Sequence, residues 1–261
     1  MVEDSSGQIL EIAGLRKNFG GVRAVDGIDL DIRGGELCCI IGPNGAGKST
    51  LFQLLTGQLV PTGGRIVFED RDITHAQPFE RARLGIAVKI QSVGVFPDLT
   101  VDHNLRIPLM RRLSTEEIPA ALDKLMTQVG LRGLNVAQAR ELSHGQKQWL
   151  ALGMALAMQP KLLLLDEPTA GMSSEETRLT TQIIRDFNAT GSAVMVIEHD
   201  MAFVRELHAP VIVLHLGRVF FRGTFDEVEK NEEVRQLYLG TQRIRSAARK
   251  GSVTSDNRAG G

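Results

Sequence analysis

Nine consecutive residues, Gly42-Pro43-Asn44-Gly45-Ala46-Gly47-Lys48-Ser49-Thr50, have the types and spacing needed to cradle a chain of phosphates. Glycines at 42, 45 and 47 let the backbone turn its N–H groups toward an anion, with Asn44, Ala46 and Thr50 completing the turn. Lys48 has the reach for β- and γ-phosphates, and the Ser49 hydroxyl is a ligand type suited to Mg²⁺. Charge-assisted hydrogen bonds of roughly 1.5–3 kcal/mol each allow a few amides and one lysine to hold a triphosphate. A second candidate is Asp166-Glu167, at the end of the apolar run Leu162 to Leu165. Asp166 can hold Mg²⁺ through water, and Glu167 can take a proton from an attacking water or hold it in line. The chemistry these residues support together is hydrolysis of a γ-phosphate.

Both groups need elements that deliver them to one place. The run Leu37 to Ile41 predicts a buried strand before the glycine turn, and Leu51, Leu54 and Leu55 predict a helix after it. Upstream, Gln8 to Ile32 reads as short strands punctuated by Gly20-Gly21 and Gly27, and Arg65 to Glu69 alternates like another strand. Residues from about 98 to 158 carry helical rather than strand signals. Ile118, Ala121, Leu122, Leu125, Met126 and Val129 repeat at helical spacing, with Ser114 and Glu117 as a capping box and Gly130 as a stop. A strand over Leu162 to Leu165, a helix over about Ser174 to Asn188 and a strand over Ala193 to Ile197 follow, then a strand pair around Gly217. Alternation of this kind implies an α/β fold with a mainly parallel sheet, whose ligand site lies at the carboxyl ends of the strands.

Composition narrows the function classes. Lys+Arg 30 against Asp+Glu 31 leaves a net charge of −1, which excludes a chain built mainly to coat nucleic acid or anionic lipid. The segment 241–261 carries five basic residues against Asp256, and so holds +4 while the rest holds −5; with two large aliphatic residues it is expected to be disordered. No run approaches the roughly 20 apolar residues of a membrane span, and the first residues lack a secretory pattern, so a cytoplasmic location is expected. Cys38 and Cys39 are neighbours on a strand, point to opposite faces and are expected to fill core.

Leu142-Ser143-His144-Gly145-Gln146 resembles the signature of ATP-binding cassette (ABC) ATPases, usually Leu-Ser-Gly-Gly-Gln. On its own residues, Ser143 caps a helix starting near Gly145 whose N-terminus suits an anion. The resemblance implies that Ser143, Gly145 and Gln146 reach the γ-phosphate bound by a partner subunit, with His144 replacing the usual glycine. It further implies that Gln91 is the glutamine sensing Mg²⁺ and attacking water, that His199 in Glu198-His199-Asp200 contacts the γ-phosphate, and that Phe19 stacks on adenine. Ala170-Gly171-Met172-Ser173 stands where the family usually reads Ser-Ala-Leu-Asp, so Ser173 lacks the usual carboxylate.

By the same resemblance, 1–240 is a single ATPase domain of the P-loop NTPase class with a RecA-like core. Segments 8–90 and 160–240 are its nucleotide-binding core with a small antiparallel β subdomain, about 91–159 an inserted helical subdomain, and 241–261 a basic tail. Phe19-Gly20-Gly21, Val95 to Val101, Glu198 to Met201 and Tyr238-Leu239-Gly240 are similar to ATPases of branched-chain amino acid importers. Leu142 to Trp149 is closer still to their urea-importer branch. The implied cofactors are ATP and Mg²⁺. The implied partners are a second ATPase subunit, in a homo- or heterodimer, two transmembrane permeases and, indirectly, an extracytoplasmic solute-binding protein, with the chain peripheral on the inner membrane face and no nucleic acid bound. A soluble cassette ATPase working on DNA or ribosomes is the alternative, and a small P-loop kinase leaves Leu142–Gln146, Gln91 and His199 unexplained.

Overall fold

The computed structural model describes residues 7–89 and 94–237. Strands β1 (Gln8–Phe19) and β2 (Val22–Arg33) form a long antiparallel hairpin turned at Gly20, φ +55°. They are two continuous 12-residue strands rather than several short ones. Gly14 and Gly27, both at positive φ, sit where the register shifts, so the strands bend at these points without ending. β3 (Leu37–Ile41) leads through the glycine turn into α1 (Lys48–Leu55). β4 (Gly63–Phe68) and β5 (Arg71–Asp72) close a tight hairpin at Glu69 and Asp70, which takes the end of the expected strand as its turn. These strands make a four-stranded antiparallel sheet in the order β2-β1-β4-β5.

After α2 (Pro78–Leu84) and β6 (Ile86–Lys89), the described chain is helical until β7: α3 (Val101–Leu109), α4 (Ile118–Gln128), a 3-10 turn at Ala139–Glu141 and α5 (His144–Ala157). Glu117 accepts from the Ser114 backbone N–H and hydroxyl as expected, but this closes a turn ahead of the helix, whose first residue is Ile118. Pro119 then lies in the first helical turn, where a missing N–H costs nothing. β7 (Leu162–Asp166), α6 (Ser174–Asn188), β8 (Ala193–Ile197), α7 (Met201–Leu207), β9 (Val211–His215), β10 (Arg218–Gly223) and α8 (Phe225–Lys230) complete the fold. The larger sheet runs β10-β9-β3-β8-β7-β6; all its pairings are parallel except β9 with β10.

This sheet is covered on both faces, which explains its continuous apolar runs. Leu162 and Leu164 pack with Cys38, α1 and the antiparallel sheet; Leu163 and Leu165 pack with Cys39, α3, α4 and α6. Cys38 and Cys39 are buried in opposite cores, and burial pushes the Cys39 thiol up to about 12, an unreactive pair. Gln91, Tyr238-Leu239-Gly240 and the basic segment 241–261 lie outside the described residues.

The end of α1 farthest from the glycine turn is held by a charge. Arg81 of α2 is 1% exposed, and its Nη1 donates to the carbonyls of Leu54 and Leu55 at 2.5 and 3.0 Å. Its Nη2 donates to Thr74 at 3.1 Å and its Nε to Ala76 at 3.0 Å. The guanidinium thus satisfies carbonyls that α1 leaves open at its C-terminus, where a cation is favoured. Arg81→Met keeps much of the volume and removes every donor. It is expected to destabilise the protein by roughly 3 kcal/mol or more, read from urea unfolding; a loss below about 1 kcal/mol would contradict this account.

Candidate active site

The turn between β3 and α1 exists because three glycines occupy backbone regions closed to other residues: Gly42 at φ +154°, Gly45 at +82° and Gly47 at +101°. Space is as restrictive as angle. A Cβ on Gly42 would overlap the Leu214 carbonyl oxygen, and one on Gly47 the Ala24 carbonyl oxygen. Ala46 is buried beneath the turn, its carbonyl accepting from Gly217 N–H, while Asn44, Gly45 and Ser49 face solvent. Ser49 and Thr50 stand in the first turn of α1, whose leading N–H groups lack intrahelical acceptors. Lys48 Nζ folds back over the turn, donating to Gly42 O at 2.7 Å and Pro43 O at 3.2 Å.

Parallel pairing brings the acids to the same edge. β3 pairs β8 with Ile40 opposite Ile197, and β8 pairs β7 with Ile197 opposite Asp166. Glu167 follows at φ +46°, its N–H donating to Ile197 O at 2.9 Å. Glu198 and His199 follow Ile197 on β8, and His199 Nδ1 lies 3.4 Å from Glu167 Oε1. The same nitrogen lies 3.9 Å from Glu198 Oε2, and the imidazole is 64% exposed. Burial, and then the charge of Glu167, raises the Asp166 carboxyl above its ordinary range, opposed by Lys89 and Lys48. Burial lowers the Lys48 ammonium, and Glu167 and Asp166 act against that shift.

Two charged residues at this edge were given no role of their own by the sequence. Lys89, the last residue of β6, is 4% exposed; its Nζ has no hydrogen-bond partner among the described residues, and burial pulls it down to about 8 against the fields of Asp166, Glu198 and Glu167. Glu198 is 1% exposed. The signal available for both is a charged residue closing an apolar run, Ile86 to Val88 or Ala193 to Ile197, a pattern that strand ends share.

The signature segment is built by capping. Ser143 Oγ accepts from Gln146 N–H at 3.2 Å and Gln146 Oε1 accepts from Ser143 N–H at 3.0 Å, so α5 begins at His144, one residue before the expected start. Gly145 is buried against Glu176 of α6, whose carboxylate fills the place of a Cβ. His144 Nε2 contacts Ala170 O at 2.9 Å, tying this helix start to the loop after β7. Ser173 is the N-cap of α6, pairing with Glu176. Phe19 is not core: it is 47% exposed at the end of β1, with Lys17 Nζ 5.2 Å from its ring centroid.

Among the described residues no three His, Cys, Asp or Glu side chains converge as a metal cage. Mg²⁺ at a phosphate site is held by one or two protein oxygens, with phosphates and water completing its shell. The exposed Ser49 hydroxyl and the half-buried Asp166 carboxylate are oxygen ligands of that kind.

A glycine turn from a buried parallel strand into a helix, with an acid pair on a strand one removed in the sheet, defines a P-loop NTPase. A family model described as ABC transporter matches residues 25–170. The chain belongs to the ABC transporter ATPase family, and it is an ATP-binding, ATP-hydrolysing subunit. It is 34% identical over 249 residues to the high-affinity branched-chain amino acid transport ATP-binding protein LivG of Salmonella typhimurium, covering 89% of this chain and 98% of that one. It is 32% identical over 232 residues to the xylose/arabinose import ATP-binding protein XylG of Sulfolobus acidocaldarius, covering 86% and 91%. The ADP conformation of MJ1267, an ATP-binding cassette of an ABC transporter, superposes with a TM-score of 0.82 at 29% identity, covering 90% of this chain and all of that one.

The turn geometry gives a direct test. Gly47→Ala is expected to weaken binding of a fluorescent ATP analogue by about tenfold or more, since a Cβ there meets both the strained φ and the Ala24 carbonyl. Gly21→Ala, in open space, serves as the control; equal affinities for the two variants would remove the turn from the nucleotide site.

Proposed function

We propose that this chain is the ATP-hydrolysing subunit of an importer, working as a dimer with a second ATPase subunit beneath two transmembrane permeases. The observation that supports it most is the meeting of Lys48, Asp166, Glu167 and His199 at one sheet edge, with the capped N-terminus of α5 carried on the same chain. Residues 8–90 and 160–240 act as the nucleotide-binding core, about 91–159 as the helical subdomain, and 1–240 as one ATPase domain.

In this reading, Phe19 stacks on adenine and the turn from Gly42 to Thr50 holds the phosphates. Ser49 and Asp166, with Gln91, hold Mg²⁺, which would supply charge neutralisation at the phosphates. Glu167 takes a proton from water as its oxygen attacks the γ-phosphorus. The bond to the β–γ bridging oxygen breaks, and Lys48 offsets charge on the departing ADP. His199 holds the γ-phosphate beside Glu167. Ser143, Gly145 and Gln146 present a helix N-terminus to the γ-phosphate bound by the partner subunit.

Glu167→Gln keeps the shape and removes the base. Turnover is expected to fall by about a hundredfold or more while ATP-analogue affinity stays within about threefold. A hydrolysis rate equal to the parent's would remove Glu167 from this role. Lys48→Ala is expected to weaken nucleotide binding by about tenfold or more, measured by fluorescent-nucleotide titration, and unchanged affinity would contradict its placement over the phosphates.

The cargo follows from the relatives and from one segment. LivG is named for branched-chain amino acid transport, and Leu142 to Trp149, with its histidine, resembles the urea-importer branch. We place the cargo among branched-chain amino acids, urea and short amides, carried to the permeases by an extracytoplasmic solute-binding protein. No described helix is long and apolar enough to cross a membrane, in keeping with a subunit docked on the inner face through its permeases. Uptake of labelled leucine and labelled urea by a deletion strain, with and without the restored gene, distinguishes the cargoes.

A further inference from the structure

Glu198 is a fully buried carboxylate that the hydrolytic scheme above does not use. Burying such a group is unfavourable unless it is hydrogen-bonded and offset by charge, so its retention calls for donors. They come from two loops. Oε1 accepts from the Thr169 backbone N–H at 3.2 Å and the Thr169 hydroxyl at 2.6 Å. Oε2 accepts from the His199 backbone N–H at 3.1 Å. Thr169 is itself buried, two residues beyond Glu167, and its loop closes through Ala170 N–H to Glu167 O and Met172 N–H to Thr169 O.

We propose that Glu198 is a positioning residue that clamps the loop bearing Glu167 to the loop bearing His199, and so sets the spacing between those two side chains. The inference rests on the roles assigned above to Glu167 and His199. Only a carboxylate fits the arrangement. A glutamine offers one accepting oxygen, and its amide nitrogen would face either the Thr169 donors or the His199 N–H, donor against donor. The β7–β8 pairing ends at Asp166 and Ile197, and beyond it the backbone is tied at Glu167 N–H to Ile197 O, 2.9 Å, and at Glu198 N–H to Ile40 O, 3.2 Å; the Glu198 side chain is the link that joins the two loops one step further out, at Thr169 and His199. Glu167 occupies a positive φ and His199 is mostly exposed, so each needs an outside restraint to keep the 3.4 Å approach.

The test uses the full-length chain, with steady-state kcat and KM for ATP, fluorescent-nucleotide affinity and melting temperature measured for the parent and five variants. Glu198→Gln is expected to lower kcat by about tenfold or more, with KM and nucleotide affinity within about twofold, because the phosphate turn is untouched. Thr169→Val, which keeps the backbone donor, is expected to give a smaller loss of the same kind, and Thr169→Ser to restore the parent rate. The double variant Glu198→Gln, Thr169→Val is expected to be no slower than Glu198→Gln alone, since both remove one shared interaction. Parent-like kcat in Glu198→Gln, or kcat and nucleotide affinity falling in step with melting temperature, would overturn the clamp. Should Glu198→Gln fail to fold, equal kcat for Thr169→Val and Thr169→Ser would overturn it. Glu167→Gln is assayed alongside: hydrolysis by that variant at the parent rate would defeat the catalytic assignment itself, whereas its silence beside an active Glu198→Gln would defeat the clamp alone.

Discussion

Everything at the site depends on the parallel register of four strands. With β3, β8, β7 and β6 hydrogen-bonded side by side, Ile40 lies opposite Ile197, Ile197 opposite Asp166, and Leu165 opposite Lys89. The glycine turn, the acid pair, Glu198 with His199 and Lys89 therefore lie at one level of the sheet. Side chains along a strand alternate with period two, so slipping any strand by one residue would send its leucines or valines to the wrong core and its terminal charge to the wrong face. Burial of both faces is what fixes the register, and the register is what assembles the chemistry.

Charge at this edge is balanced within the chain. Asp166, Glu167 and Glu198 meet Lys48 and Lys89 in a region where burial raises one carboxyl and lowers both amines. Lys48 is held over the turn by the carbonyls of Gly42 and Pro43. Two small devices keep the surrounding backbone in order: the Glu198 carboxylate between the loops that follow β7 and β8, and the Arg81 guanidinium at the far end of α1. Each places a charge where several backbone groups would otherwise go unpaired.

The departures from the usual family sequence have local structural uses. Ser173 caps α6 and shares its box with Glu176, and that carboxylate in turn packs on Gly145 at the start of α5. His144 spans from the same helix start to Ala170. The start of α5 and the loop following Glu167 are thereby in direct contact within one subunit.

Much of this was legible in the residues themselves, because it is encoded within a few positions. Glycine at 42, 45 and 47 dictates a turn that other residues cannot adopt, the leucines from 162 to 165 dictate a strand buried on both faces, and Ser143 with Gln146 closes a capping box four residues wide. Other features were decided only by tertiary packing. Arg81, Lys89 and Glu198 look like ordinary surface charges, since whether a charge is buried depends on residues far away in sequence: carbonyls of α1 for Arg81, Thr169 for Glu198, the acids of β7 and β8 for Lys89. Gly27 likewise reads as a strand break, yet pairing across a long hairpin absorbs it as a bend. The sequence determined which local shapes were available, and the sheet determined which charges would face one another, because only the folded chain brings residues 48, 89, 166 and 198 to a single edge.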